Sequence, residues 1–149
     1  MKKYITLLSI LLLTGTFSYS FQPWAIDNIP PFDYVFAPDG VDEHTIVSYP
    51  GGSTSIIVEM IAPHEVIFPS VKGIAHILGA SVNIPIPDAG HLSSFPHKIG
   101  ERIILEITLN FNPNMPPISF ELDLIVYDQT NSPLGGGKFT IDLLDLTDF

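Results

Sequence analysis

The stretches RIILEITLNF (residues 102–111) and ISFELDLIVYD (residues 118–128) decide the fold of this chain. Apolar side chains occupy every odd-numbered position of the first stretch and the even-numbered positions 118 to 126 of the second. A period of two places such side chains on one face of a β-strand. The connector NPNMPP (112–117) contains three prolines, which lack a backbone N–H donor. We therefore predict two paired strands joined by this loop.

The chain from Thr45 onward has the same character. Its predicted strands are Thr45–Tyr49, Ser53–Ile61, Glu65–Phe68, Val71–Leu78, Ala80–Ile86, Arg102–Phe111, Ile118–Tyr127 and Lys138–Leu144. Fourteen prolines and eleven glycines punctuate the chain, and no window has the pattern of a capped amphipathic helix of ten residues. The pattern predicts an all-β, single-domain antiparallel β-sandwich of about seven to eight strands over residues 45–149. The last three of these strands are predicted to form a meander, in which a turn at Gly135–Gly137 leads into the final strand.

Residues 1–20 have the pattern of a secretory signal peptide. Two lysines precede an apolar run from Ile5 to Leu13, and small residues at Ser18 and Ser20 predict cleavage after Ser20. The run is too short for a membrane span, which needs roughly 20 apolar residues. The chain is thus predicted to be secreted or periplasmic in a bacterium, with no transmembrane segment after cleavage. Residues 21–44, rich in proline, aromatic and acidic residues, are predicted to form an irregular arm.

Composition limits the classes of partner. Without the leader, the chain has four basic and sixteen acidic residues, a formal charge of −12 with neutral histidines. Recognition of nucleic acid requires clustered Lys and Arg, so nucleic-acid binding is excluded. The chain contains no cysteine, so stability must come from packing and backbone pairing or from a bound ion.

Two groups of side chains suggest metal binding. If residues 111 and 118 pair, Glu106 lies opposite Asp123, and a plausible register of the last strand sets Asp142 beside Asp123. Like charges directly opposite one another destabilise a sheet, and carboxylate oxygens suit Ca²⁺. The loop 88–97 offers a second set, in which His91, His97 and Asp88 could hold Zn²⁺ or Cu²⁺. The alternative for both groups is an ordinary solvated surface.

The favoured function is non-enzymatic binding of a protein or glycan outside the cytoplasm, as in a host-interaction or virulence factor. Loops on a rigid scaffold commonly carry such function, which directs attention to Pro113–Pro117, Asp88–Lys98 and the arm. The side chains proposed to bind the partner are Trp24, Tyr34, Phe95, Asn114 and Met115. Two alternatives stay open: a metal-binding or Ca²⁺-stabilised secreted protein, and a small secreted hydrolase using a serine near the loop histidines. No motif of a nucleophile elbow or phosphate loop supports catalysis.

Overall fold

The structure is a computed structural model that describes residues 21–84, 86 and 89–148. The signal-peptide prediction lies outside these residues. The described chain contains nine strands and one 3₁₀ turn, Leu146–Asp148. The strands are β1 (Tyr34–Phe36), β2 (Thr45–Ser48), β3 (Ser53–Ile61), β4 (Ser70–Ile77), β5 (Ala80–Ile84), β6 (Ala89–His91), β7 (Arg102–Asn110), β8 (Ser119–Tyr127) and β9 (Pro133–Leu143).

The strands form two sheets that pack as a β-sandwich, which confirms the predicted class. One sheet has the order β1-β3-β7-β6 and the other the order β2-β9-β8-β4-β5. All neighbours are antiparallel except β2 and β9, which are parallel. Ile56 and Leu105 from the first sheet and Leu122 and Phe139 from the second are fully buried in the core. Their alternation along each strand is the period of two that the sequence displays.

The predicted three-stranded meander is wrong in one of its pairings. β7 pairs with β3 and β6, whereas β8 pairs with β4 and β9. The connector from Phe111 to Ile118 therefore crosses from one sheet to the other. The physical reason is that a period of two determines which face of a strand is buried, but both sheets of a sandwich bury one face in the same core. The sequence pattern is identical for either arrangement.

Several strand boundaries also differ from the prediction. The segment 65–68 is not a strand, and only Val66 forms an isolated bridge, with His97. Strands β1 and β6 were not predicted, because a strand of three residues is too short to show the period of two. Gly135–Gly137 lies inside β9 rather than in a turn. The β8–β9 connection is instead made by residues 128–132.

The arm of residues 21–44 is integrated into the sandwich. The Phe21 ring stacks on Phe139 in the core with centroids 5.4 Å apart, and Phe32 is buried as well. Trp24 and Lys138 exchange backbone hydrogen bonds of 3.0 and 2.8 Å, so the arm extends the edge of the sheet beside β2. Its irregular appearance in sequence conceals two core aromatic residues and one strand.

The glycine run of β9 is explained by the close approach of the arm. A Cβ atom at Gly136 would lie 2.8 Å from Ile29 Cγ2 and 2.9 Å from the Leu124 carbonyl oxygen. We expect Gly136→Ala to lower the free energy of unfolding by ~2 kcal/mol, as overpacking does elsewhere, measured by urea denaturation. The control is Gly90→Ala, because a Cβ there meets its nearest atom, Glu106 Cβ, at an ordinary 3.6 Å. Equal stability losses in the two variants would contradict this account of the run.

Candidate ligand-binding site

An apolar cavity of about 300 Å³ opens at one edge of the sandwich. Its walls come from the β4–β5 hairpin and from the connector that follows β7. The lining residues are Ala75, Ile77, Val82, Asn83, Ile84, Asn110, Phe111, Asn112 and Met115. None of these side chains is charged, and three asparagines provide the polar groups. Binding pockets for small molecules commonly have about 300–1,000 Å³ and this combination of apolar walls with a few polar groups.

The cavity exists because the inner face of β5 is incompletely covered. Ala75 pairs with Val82 and Gly73 with Ile84, and residues directly opposite in an antiparallel pair project to the same side of the sheet. Ala75 is fully buried, so Val82 and Ile84 also face inward. Nevertheless, Val82 is 48% exposed. Five strands face four across the sandwich, which leaves the inward side of the edge strand open.

The opposite wall is formed by the end of β7 and its connector. Phe111 is buried, and its ring packs edge-on against Phe120 with centroids 6.4 Å apart. Its backbone N–H donates to the Gly52 carbonyl and its own carbonyl accepts from the Gly51 N–H, each at 3.0 Å, which fixes the backbone that carries the ring. Met115 follows in the connector and packs against the core. One wall is therefore a rigid aromatic ring and the other includes an unbranched, adaptable thioether.

The five proposed binding side chains do not converge. Met115 lines the cavity, and the backbone N–H of Asn114 donates to Asn112 Oδ1 at 2.8 Å in the same exposed connector. Trp24 lies against the His44 ring, with centroids 3.8 Å apart, beside β9. Tyr34 lies on β1, an edge strand of the other sheet, and Phe95 packs edge-on against His97. Their roles in binding stay predictions, and Met115 is the one that lines this cavity.

The predicted acidic row is not assembled, because the register on which it depended is wrong. Glu106 lies on β7 in one sheet, whereas Asp123 on β8 and Asp142 on β9 lie in the other sheet. Asp123 is paired with Lys138 and Asp142 with Ser119, so four residues of β8, or ~13 Å of strand, separate the two positions. Asp123 Oδ2 instead lies 2.9 Å from His76 Nε2. These three carboxylates therefore do not act together as ligands of one ion. Binding of Ca²⁺ by this chain stays a prediction.

The predicted histidine site is described only in part. Asp88 lies outside the described residues, and for His91 the structure describes the backbone, in β6. His97 is buried, and its Nε2 forms a 2.8 Å hydrogen bond with Ser93 Oγ. That same oxygen accepts a 3.0 Å bond from the Ile104 N–H. The pair thus connects its loop to β7, which is a structural role. Zn²⁺ or Cu²⁺ binding at these residues stays a prediction.

The comparisons with known proteins show the fold. No protein-family model and no curated protein sequence matches the chain. Among solved structures, a Niemann-Pick type C2 protein from the Japanese carpenter ant superposes with a TM-score of 0.64, 16% identity, over 83% of this chain and 98% of that one. Chicken MD-1, solved in complex with lipid IVa, superposes with a TM-score of 0.42 and 16% identity, over 62% and 72% of the two chains. The first superposition shows that the chain has a β-sandwich fold, and the second adds nothing to that result.

Within residues 21–84, 86 and 89–148, no helix has the length and apolar character needed to cross a membrane.

The cavity residues other than Met115 were missed by sequence reasoning. Val82 and Ile84 alternate with Ser81 and Asn83, as the inward side chains of any half-buried strand do. Whether an inward side chain is covered depends on the width of the opposite sheet, which the local pattern does not encode. The sequence feature that could have pointed to the cavity is the absence of charged residues from both of the segments that line it.

Proposed function

We propose that this chain binds a small apolar ligand, of the class of a lipid acyl chain, between its two sheets at the open side of β5. The observation that carries the proposal is the 48% exposure of Val82 on the inward face of the sandwich. An apolar side chain at such a position loses the burial that the fold provides to its neighbours. A ligand that covers Val82, Ile84 and Ile77 would restore it, at roughly 25 cal/mol for each Å² of apolar surface removed from water.

The chemistry of the walls favours a lipid over the protein or glycan partner predicted from sequence. A glycan would lose hydrogen bonds to water on entering an apolar cavity, and each unreplaced bond is costly. A cavity of about 300 Å³ lies at the lower end of the usual range for ligand pockets, which fits one chain or a small ring system. Asn112, in the connector, lies where a polar head group could be bound by a neutral amide, whereas the side chains of Asn83 and Asn110 project to the outer faces of their sheets. We propose a non-enzymatic carrier or sensor that acts outside the cytoplasm.

Displacement of a fluorescent fatty acid tests this function. We expect cis-parinaric acid to bind with one saturable site per chain, and unlabelled fatty acids to displace it. Soluble glucose and maltose serve as the negative control and should displace nothing. Absence of saturable binding across fatty acids of different chain length and a sterol would contradict the proposal.

A further inference from the structure

The β4–β5 hairpin ends in an exposed leucine with an unfavourable backbone conformation. Leu78 has a φ of 51° and is followed by Gly79 with a φ of 80°. Such two-residue turns are normally made by Asn-Gly or Asp-Gly, because bulky residues are strained at positive φ. The Leu78 side chain is also 97% exposed, the highest value of any large apolar residue described. Neither the turn nor the core requires a leucine at this position.

Leu78 lies at the mouth of the cavity. Three residues of its hairpin line the cavity: Ile77, which directly precedes Leu78, and Val82 and Ile84 on the second strand. The pairings of Ile77 with Ala80 and of Ser53 with Asn110 bring three connections to this end of the sandwich: 49–52, 78–79 and 111–118. An exposed apolar tip therefore projects beside the opening through which a ligand must pass.

The same end of the sandwich lacks charge along three sequence segments. Residues 46–58, 77–87 and 109–120 contain no Asp, Glu, Lys or Arg, although the whole chain has a formal charge of −10. The opposite end includes Glu65, Lys98 and Glu101. Acidic residues nevertheless border this end: Asp39 accepts a 2.7 Å bond from the Thr54 hydroxyl, Asp142 is paired with Ser119, and Asp145 lines a pocket with Pro50 and Pro117. This distribution fits a neutral surface and opposes an anionic one.

We infer that the hairpin tip docks on a lipid surface with zwitterionic head groups, with Leu78 inserted among the lipids at the mouth of the cavity. This inference rests on the proposed function, since it assigns the surface from which the ligand enters. Insertion removes from water an apolar side chain that folding leaves exposed, which is the usual driving force for interfacial binding. Net negative charge directs the protein to neutral rather than anionic lipid.

Sedimentation with phosphatidylcholine vesicles tests the inference through Leu78→Asn. Asparagine is favoured in the left-handed conformation, so this variant should fold with an unchanged or raised melting temperature. We expect it to partition onto the vesicles at least about tenfold more weakly than the unsubstituted chain, the factor expected for burying one leucine side chain. It should also lose the rise in transfer rate of bound cis-parinaric acid with vesicle concentration. The matched control is Ile99→Asn, since Ile99 is 72% exposed in the loop preceding β7, at the opposite end.

Three results would overturn the inference: equal partitioning of Leu78→Asn and the unsubstituted chain, an equal loss with Ile99→Asn, or Leu78-dependent dimerisation without vesicles. Preferential binding to phosphatidylglycerol vesicles would overturn the choice of a neutral surface. Failure of the proposed function is distinguishable, because it appears as absent cis-parinaric acid binding in solution for every variant. Leu78→Asn itself should retain the unsubstituted affinity for that probe.

Discussion

Asp128→Ala is expected to lower the free energy of unfolding by about 3–5 kcal/mol, the cost of breaking a buried, fully bonded charge network. Asp128 is 2% exposed, at the end of β8. Its Oδ1 accepts bonds from the Thr130 N–H (2.8 Å), the Thr130 hydroxyl (2.7 Å) and the Ser132 N–H (2.9 Å). Its Oδ2 pairs with His64 Nε2. The substitution leaves several donors of the β8–β9 turn without a partner.

The effect should depend on pH in a defined direction. Burial by itself would raise the pKa of Asp128, but the hydrogen bonds from Ser132, Thr130 and His64 outweigh it and hold the pKa well below the ordinary 3.8. A depressed pKa in the folded state means that the stabilisation is present above the unfolded value and is lost as pH falls below it. The stability difference between the two proteins should therefore shrink only as the pH falls below about 4, as measured by urea denaturation.

The control for this prediction is Asp145→Ala. Asp145 accepts bonds from the Thr147 N–H (2.9 Å) and hydroxyl (2.7 Å), the same local motif, but in the exposed C-terminal segment. We expect little change in stability from its removal, because water replaces the lost bonds. If both variants lose equal stability, burial is not the source of the Asp128 contribution.

Val82→Trp is expected to weaken binding of cis-parinaric acid about a hundredfold or more, equivalent to ~2.8 kcal/mol at 1.4 kcal/mol for each tenfold change. Val82 points into the cavity and is half exposed, so a larger ring can occupy the opening without displacing core side chains. Aromatic residues are also well accepted in β-strands. Loss of binding should consequently occur without loss of stability, measured by displacement titration and thermal melting together.

Ser81→Trp is the matched control for Val82→Trp. It places the same side chain on the same edge strand, but on the opposite face of the sheet, where Ser81 Oγ lies 3.2 Å from His76 Nδ1. We expect an affinity for the probe within about twofold of the unsubstituted chain, because the cavity is untouched. Equal weakening by both substitutions would mean that the probe binds the sheet edge nonspecifically rather than the space between the sheets.

Much of the fold was predictable because strand periodicity is a local property. The prediction matched β3 in full and β2, β4, β5, β7 and β8 to within two residues at each end. The pairing of β7 was predicted wrongly, since the proline-containing connector permits either a hairpin or a crossing between sheets. The short β1 and β6 offered too few residues for a period to appear.

The candidate site was predictable only through Met115. The cavity arises from the unequal width of two sheets, a long-range property that no single segment encodes. The buried aromatic residues of the arm were obscured in a similar way. Phe21 and Phe32 stand in an irregular, proline-containing segment. Phe21 is buried by stacking on Phe139 and Phe32 by packing over Gly135 and Gly137, all of them on β9, about one hundred residues away.

The most direct test of the account is an NMR titration with methyl-¹³C-methionine. Apart from Met1, the chain contains only Met60 and Met115. Met115 lines the cavity, whereas Met60 is buried on β3 and contacts the Gly135 position near the arm. The account predicts that saturating fatty acid shifts the Met115 methyl signal with one-site behaviour and leaves that of Met60 in place. An unmoved Met115 signal in the presence of bound fatty acid would contradict a ligand site between the sheets at β5.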